Sequence, residues 1–155
     1  SWSREISRTL FVCYLTGLIN LVLVPRNLWL MIWFYLFNGY SGGEIGSLFT
    51  FEFNLASALL KWLIGELTIG RWVLKMFAGN LLMFVPMGFF LPLVSEKVNK
   101  RNILKIAVAI PIVIEVIQPI VGRSFDVDDL LLNFTGIIIG YFVAVGVKTL
   151  AIKHR

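Results

Sequence analysis

Glu115, Gln118, Arg123, Asp126, Asp128, Asp129 and Asn133 crowd into one stretch, 115–133, of a chain that is almost wholly apolar on either side of it. Glu115 and Gln118 are three residues apart and share one face of a helix. Asp126, Asp129 and Asn133 follow at i, i+3 and i+7, so they line one face of a second helix. Such a wall of oxygens has two chemical uses. It can serve the recognition of a ligand, or Glu115, Asp126 and Asp129 can hold a hard divalent cation while Arg123 grips a phosphate. Helix capping explains part of it. Asp126 reads as an N-cap, Asp129 as the third helical position of a capping box, and Asp128 as a charge favourable to the dipole. Capping leaves Glu115, about two turns inside an apolar helix, and Asn133 unexplained. A carboxylate in such a setting is costly and marks a functional pocket by default, with Arg123 or Asn133 the partner expected for Glu115.

The elements that carry these residues are membrane spans. Of 155 residues, 58% are hydrophobic and 15% charged, and mean hydropathy is +0.85. The apolar residues come in long runs rather than at strand or surface-helix spacing, which indicates a polytopic membrane protein. Four spans are expected, over 7–24, 77–94, 103–121 and 130–147. The first has the basic and apolar regions of a signal peptide, but no small-residue cleavage site follows "LVLVPRN", so a retained span is expected. Cys13 has no partner for a disulfide.

Lysine and arginine set the orientation. Arg4, Arg8, Lys97, Lys100, Arg101, Lys105, Lys148, Lys153 and Arg155 fall on one side, and Arg26, Lys61, Arg71, Lys75 and Arg123 are spread over the longer other side. The positive-inside rule therefore puts both termini and the 95–102 loop in the cytoplasm, and the acidic 122–129 loop outside. The net charge of +5 thus reports topology rather than nucleic-acid binding.

Between the first two spans lies an outer segment, 25–76. "NLWLMIWFYLFNGY" is short for a span and reads as interfacial or re-entrant, and "SGGEIGS" breaks the chain. "NLASALLKWLIGEL" puts Leu55, Leu59, Trp62 and Leu63 on one stripe, with Lys61 and Glu66 off it. It is expected to be a lid packed on the outer end of the bundle, in preference to a helix lying free on the membrane surface. No second domain is expected: 1–155 is one unit with a motif-bearing core at 77–147. The fold class is an all-α integral membrane protein of about four spans.

A second motif, "GNLLMFVPMGFFLP", lies in the second span. Asn80 stands near its outer end, Pro86 interrupts the hydrogen-bond ladder and tends to kink it, and Gly88 leaves room for a neighbouring backbone. Gly136, Gly140 and Ala144 form a matching small-residue stripe on the fourth span.

"GNLLMFVPMGFFLP", followed by "EVIQ" and "GRSFDVDDLLLNFTGIIIG", closely resembles the VanZ-like family of bacterial membrane proteins over roughly 77–147. The family pattern falls on Asn80, Phe84, Pro86, Gly88, Glu115, Gln118, Arg123, Asp126, Asp129, Asn133 and Gly136, in the expected order and spacing. The amino-terminal half resembles the family only in its general plan. The resemblance implies a small integral membrane protein linked to resistance against glycopeptides, above all the lipid-tailed teicoplanin. It implies no mechanism.

The residues themselves narrow the chemistry. The only histidine, His154, is at the cytoplasmic end, which excludes a histidine-based phosphatase or a Ser/His/Asp triad on the outer face. There is no Cys/His metal cluster and no phosphate-cradling glycine loop. Three readings stay open. In the first, the outer pocket binds an amphiphile, whether a membrane lipid, a lipid-linked wall intermediate or a lipoglycopeptide, and needs no cofactor. In the second, the protein is a metal-dependent enzyme or transporter for a lipid-linked phosphate. In the third, it is a structural membrane module. The first ranks ahead, because carboxylates without an activated nucleophile fit recognition at least as well as turnover.

Overall fold

The computed structural model describes residues 2–24, 28, 32, 33, 36, 37 and 52–153. Along the chain come α1 (Trp2–Leu23), β1 (Glu52–Asn54), α2 (Ala58–Leu63), α3 (Arg71–Val94), α4 (Ile103–Ile117), a 3-10 turn (Gln118–Val121), β2 (Ser124–Asp126) and α5 (Val127–Lys153). Among the described residues, four helical stretches are long and apolar enough to cross a membrane: Ser3–Leu23, Arg71–Val94, Ile103–Val121 and Val127–Lys153. They fall where the hydropathy puts them. α3 and α5 begin earlier than expected, because Arg71, Trp72 and Lys75 occupy the start of α3 and an aspartate caps α5. Charged and capping residues at a span's end are invisible to a hydropathy window.

The helices alternate in direction. Arg4 on α1 pairs with Glu96 after α3 at 3.1 Å, and Lys148 on α5 donates to the Pro92 carbonyl on α3 at 2.6 Å. These contacts mark one end of the bundle, which holds the start of α1 and the end of α5. The opposite end holds the C-termini of α1 and α4 and the N-termini of α3 and α5.

α3 and α5 form the largest interface. Water does not drive helices together inside lipid, so close backbone approach must hold them. A Cβ on Gly88 would overlap the Ile137 carbonyl, one on Gly140 the Val85 carbonyl, and one on Gly136 the Leu81 carbonyl. Phe84, Ile137 and Tyr141 fill the seam, and Leu18, Val22, Met87, Ile103 and Ala107 extend this core to α1 and α4. Leu82, Val113, Phe142 and Leu150 are exposed on the outside, as lipid-facing residues are. α3 stays helical through Pro86. The turn that this proline interrupts is also where α1 is tied to α3. There the Tyr14 hydroxyl donates to the Met83 carbonyl at 2.7 Å.

The fold is not wholly helical. β1 and β2 pair in parallel, with Glu52 opposite Ser124, Phe53 opposite Phe125 and Asn54 opposite Asp126. The Phe53 and Phe125 rings lie 5.9 Å apart. Three-residue strands are too short to show a period-two pattern, so nothing in the hydropathy announces them.

α2 is shorter than the stripe in its sequence predicts. Ser57 caps its start. Gly65, at φ +80°, ends it in a left-handed conformation. The Glu66 N–H is bonded there to the Lys61 carbonyl at 2.8 Å. No residue of α2 is buried, and Leu60, Trp62 and Leu63 are exposed. It is a lid tied by its first turn rather than packed by its apolar face. In "NLWLMIWFYLFNGY", Leu28, Ile32, Trp33, Leu36 and Phe37 are helical, and the Trp33 and Phe37 rings are 4.4 Å apart. The rest of that stretch and all of "SGGEIGS" lie outside the described residues, and with them the expected interfacial turn.

Candidate functional site

The end of α4 carries the deepest polar group among the described residues. Glu115 has no accessible surface. Its Oε2 accepts the Asp126 N–H at 3.0 Å, and its Oε1 has no hydrogen-bond partner. One turn on, Gln118 is 4% exposed. Its Nε2 donates to the Val22 carbonyl at 3.3 Å, and its Oε1 is also without a partner. Pro119 sits in the 3-10 turn, and Gly122, at φ +79°, reverses the chain with the Arg123 N–H on the Gln118 carbonyl at 2.8 Å. A left-handed residue is needed there, which is the reason for glycine. The Arg123 guanidinium donates to the Leu21 carbonyl at 2.9 Å. Gln118 and Arg123 therefore take up two of the carbonyls that α1 leaves free at its C-terminus.

Asp126 caps α5: its Oδ1 accepts the Asp128 N–H at 2.8 Å, and its Oδ2 accepts the Asn54 amide N–H at 3.0 Å. In a capping box the third helical residue would reach back to the cap's own N–H. Here Glu115 supplies that acceptor from α4, and Asp129 is free to take the Asn80 amide on α3 instead. Asn133 lies one turn below Asp129 on the same face and is buried. The structure thus brings Glu115 to Asp126 and Asp129 to Asn80, with Asn133 beneath. Glu115's hydrogen bond runs to the Asp126 backbone rather than to Arg123 or Asn133.

Asp128, for which the sequence suggests only a favourable charge, is 4% exposed. It accepts the Ser57 hydroxyl, the Ala58 N–H at 2.9 Å and the Leu59 N–H at 3.2 Å. Ser57 Oγ in turn accepts the Leu60 N–H at 3.0 Å. A carboxylate on α5 therefore caps α2, where the dipole and the free N–H groups favour it. Ser57, Asn54 and Asp128 are the site residues that sequence reasoning missed. The Ser-Ala-Leu start of α2 was a usable cap signal for Ser57, but nothing local said which aspartate would meet it.

Asp126 and Asp128 each accept hydrogen bonds with both oxygens, and Glu115 and Asp129 with one each. Among the described residues no three carboxylate, thiol or imidazole groups gather as metal ligands. His154 lies outside the described residues. The arrangement offers hydrogen-bond acceptors.

A sequence model of the VanZ/LLP1 family matches residues 11–150. The chain belongs to the VanZ/LLP1 family. The match reaches beyond the 77–147 core that carries the resemblance, over the outer segment and part of α1. The comparisons with curated proteins and with solved structures find no match.

Proposed function

We propose that this VanZ/LLP1 protein is a binding protein of the bacterial cytoplasmic membrane, whose polar end faces outward and engages an amphiphile. The amphiphile is a membrane lipid, a lipid-linked wall intermediate or a lipoglycopeptide, and binding it protects the envelope against teicoplanin-type glycopeptides. One observation carries the reading: Glu115 Oε1 and Gln118 Oε1 are buried acceptors without donors. A buried acceptor left unmet costs about 1–3 kcal/mol, a cost that the donors of a ligand would remove. The exposed apolar surface of α2 at the same end suits the acyl part of such a ligand. The basic residues gathered at the other end support the orientation. The reading requires no metal.

Expression in a susceptible bacterium tests it. The chain should raise the inhibitory concentration of teicoplanin, and Glu115→Gln should abolish the gain at equal protein level. Full resistance from Glu115→Gln, or no resistance from the wild type, would sink the reading. Loss of ligand binding on chelation would favour the metal-dependent phosphate chemistry instead. Orientation is tested in a Cys13→Ser background. A cysteine at Ile64 should react with an impermeant reagent in intact cells, and one at Lys100 should not. Asp128 is the wrong probe position, because it holds α2.

A further inference from the structure

The two oxygens without donors belong to side chains three residues apart. Gln118 keeps helical backbone angles at the end of α4, so its side chain stands one turn above Glu115 on the same face. Amide oxygen and nitrogen can be exchanged in a side chain, but here the Val22 carbonyl decides the matter. Turning the amide over would set the Gln118 oxygen against that carbonyl and lose the bond at 3.3 Å. Both unmet atoms are therefore acceptors, and one of them belongs to a carboxylate. Asp126 at the cap of α5 and Asp129 in its first turn add negative potential, which the nearby Arg123 offsets only in part. A phosphate placed here would meet acceptors and like charge.

We infer that the group this site recognises is a protonated primary amine, whose N–H donors meet Glu115 Oε1 and Gln118 Oε1. This rests on the binding reading above and names the chemistry of its ligand. An ammonium carries three donors and one positive charge, so two of its N–H groups satisfy both oxygens and its charge balances the carboxylate. A quaternary ammonium carries the same charge and no donor. The amine can come from a lipid headgroup or from an amino group of a lipoglycopeptide. Glu115 has no accessible surface, and β2 rests on it through the Asp126 N–H. The amine therefore reaches the carboxylate only when part of its cover shifts.

The test uses the full chain in a non-ionic detergent and reads the unfolding temperature. Dodecylammonium, dodecyltrimethylammonium and dodecyl phosphate, each below its micellar concentration, are the probes. Dodecylammonium should raise the midpoint of the wild type by roughly 3 °C or more, and the other two should not. Glu115→Gln puts an amide N–H beside Gln118 Oε1, so the oxygen pair is closed from within. This variant should be more stable than the wild type on its own and should lose the dodecylammonium response. Gln118→Met, which removes one acceptor without adding a donor, should weaken that response about tenfold or more in apparent affinity.

Equal shifts by primary and quaternary ammonium, or a shift that survives Glu115→Gln, would overturn the inference. A response to dodecyl phosphate that Glu115→Gln abolishes would leave the binding reading standing and remove the amine from it. If no probe acts and Glu115→Gln has the wild-type midpoint, both fall, and a proton held between the two oxygens accounts for the pair. If dodecylammonium acts as expected, nanodiscs of phosphatidylethanolamine and phosphatidylcholine then separate the sources. Stabilisation by the first lipid alone points to a headgroup, and equal stability in both points to the lipoglycopeptide amine.

Discussion

The seam between α3 and α5 and the polar end of the same bundle are built on opposite plans. At the seam, Gly88, Gly136 and Gly140 let backbone meet backbone, and a single added carbon has nowhere to go. At the polar end the contacts are made by side chains reaching across elements, Asn80 to Asp129, Ser57 to Asp128, Asn54 to Asp126. Two buried acceptors there have no donor. The seam has no slack and no chemistry. The polar end keeps unmet hydrogen-bonding groups, and the seam fixes the helices on which it stands.

The sharpest way to break this contrast is at Gly140. Gly140→Leu drives a side chain into the Val85 carbonyl. Such overpacking against backbone should cost more than about 3 kcal/mol, seen as loss of folded protein in detergent. A stable Gly140→Leu protein would mean that the seam is not what holds the bundle. Next comes Asp128→Ala, which removes the acceptor of three donors from Ser57 and α2. The donors left unmet should cost about 2–3 kcal/mol. Limited proteolysis should then cut within 55–70 while the four spans remain intact. Asn80→Ala leaves Asp129 without its amide. Thermal unfolding should show a loss of about 1–2 kcal/mol. The smallest effect is expected at the opposite end of the bundle. The Arg4–Glu96 pair is exposed, at 41% and 86% for the two side chains. Arg4→Ala should therefore change stability by about 0.5 kcal/mol or less. A larger loss there would mean that both ends, and not the seam alone, carry the architecture.

The spans and the shared polar faces were legible in the sequence, because hydropathy and helical spacing act over many residues. Gly136 and Gly140 could be read as a contact stripe from their spacing alone. What was not legible is who meets whom. Asp126, Asp128 and Asp129 are near neighbours of one type, and their three destinations lie on β1, the start of α2 and α3. Only tertiary placement separates them. The capping box expected of Asp129 fails for the same reason, since Glu115 arrives from another helix and takes that position. The strands were hidden by their length, and α2 came out shorter than its stripe because Ser57 and Gly65 bound it more strongly than apolar periodicity extends it.

The pairing of β1 with β2 also bears on how the protein is made. Asn54 and Asp126 are 72 residues apart in the chain, with α3 and α4 between them. When β1 emerges from the ribosome its partner has not been synthesised, and it acquires one only after α3 and α4 have crossed the bilayer and α5 has begun to enter. The two strands join last, and every helix must be correctly threaded for their three residues to fall in register. Amide exchange followed during synthesis should therefore show Phe53 becoming protected only once α5 is in place. This two-stranded sheet then serves as a record that insertion was completed.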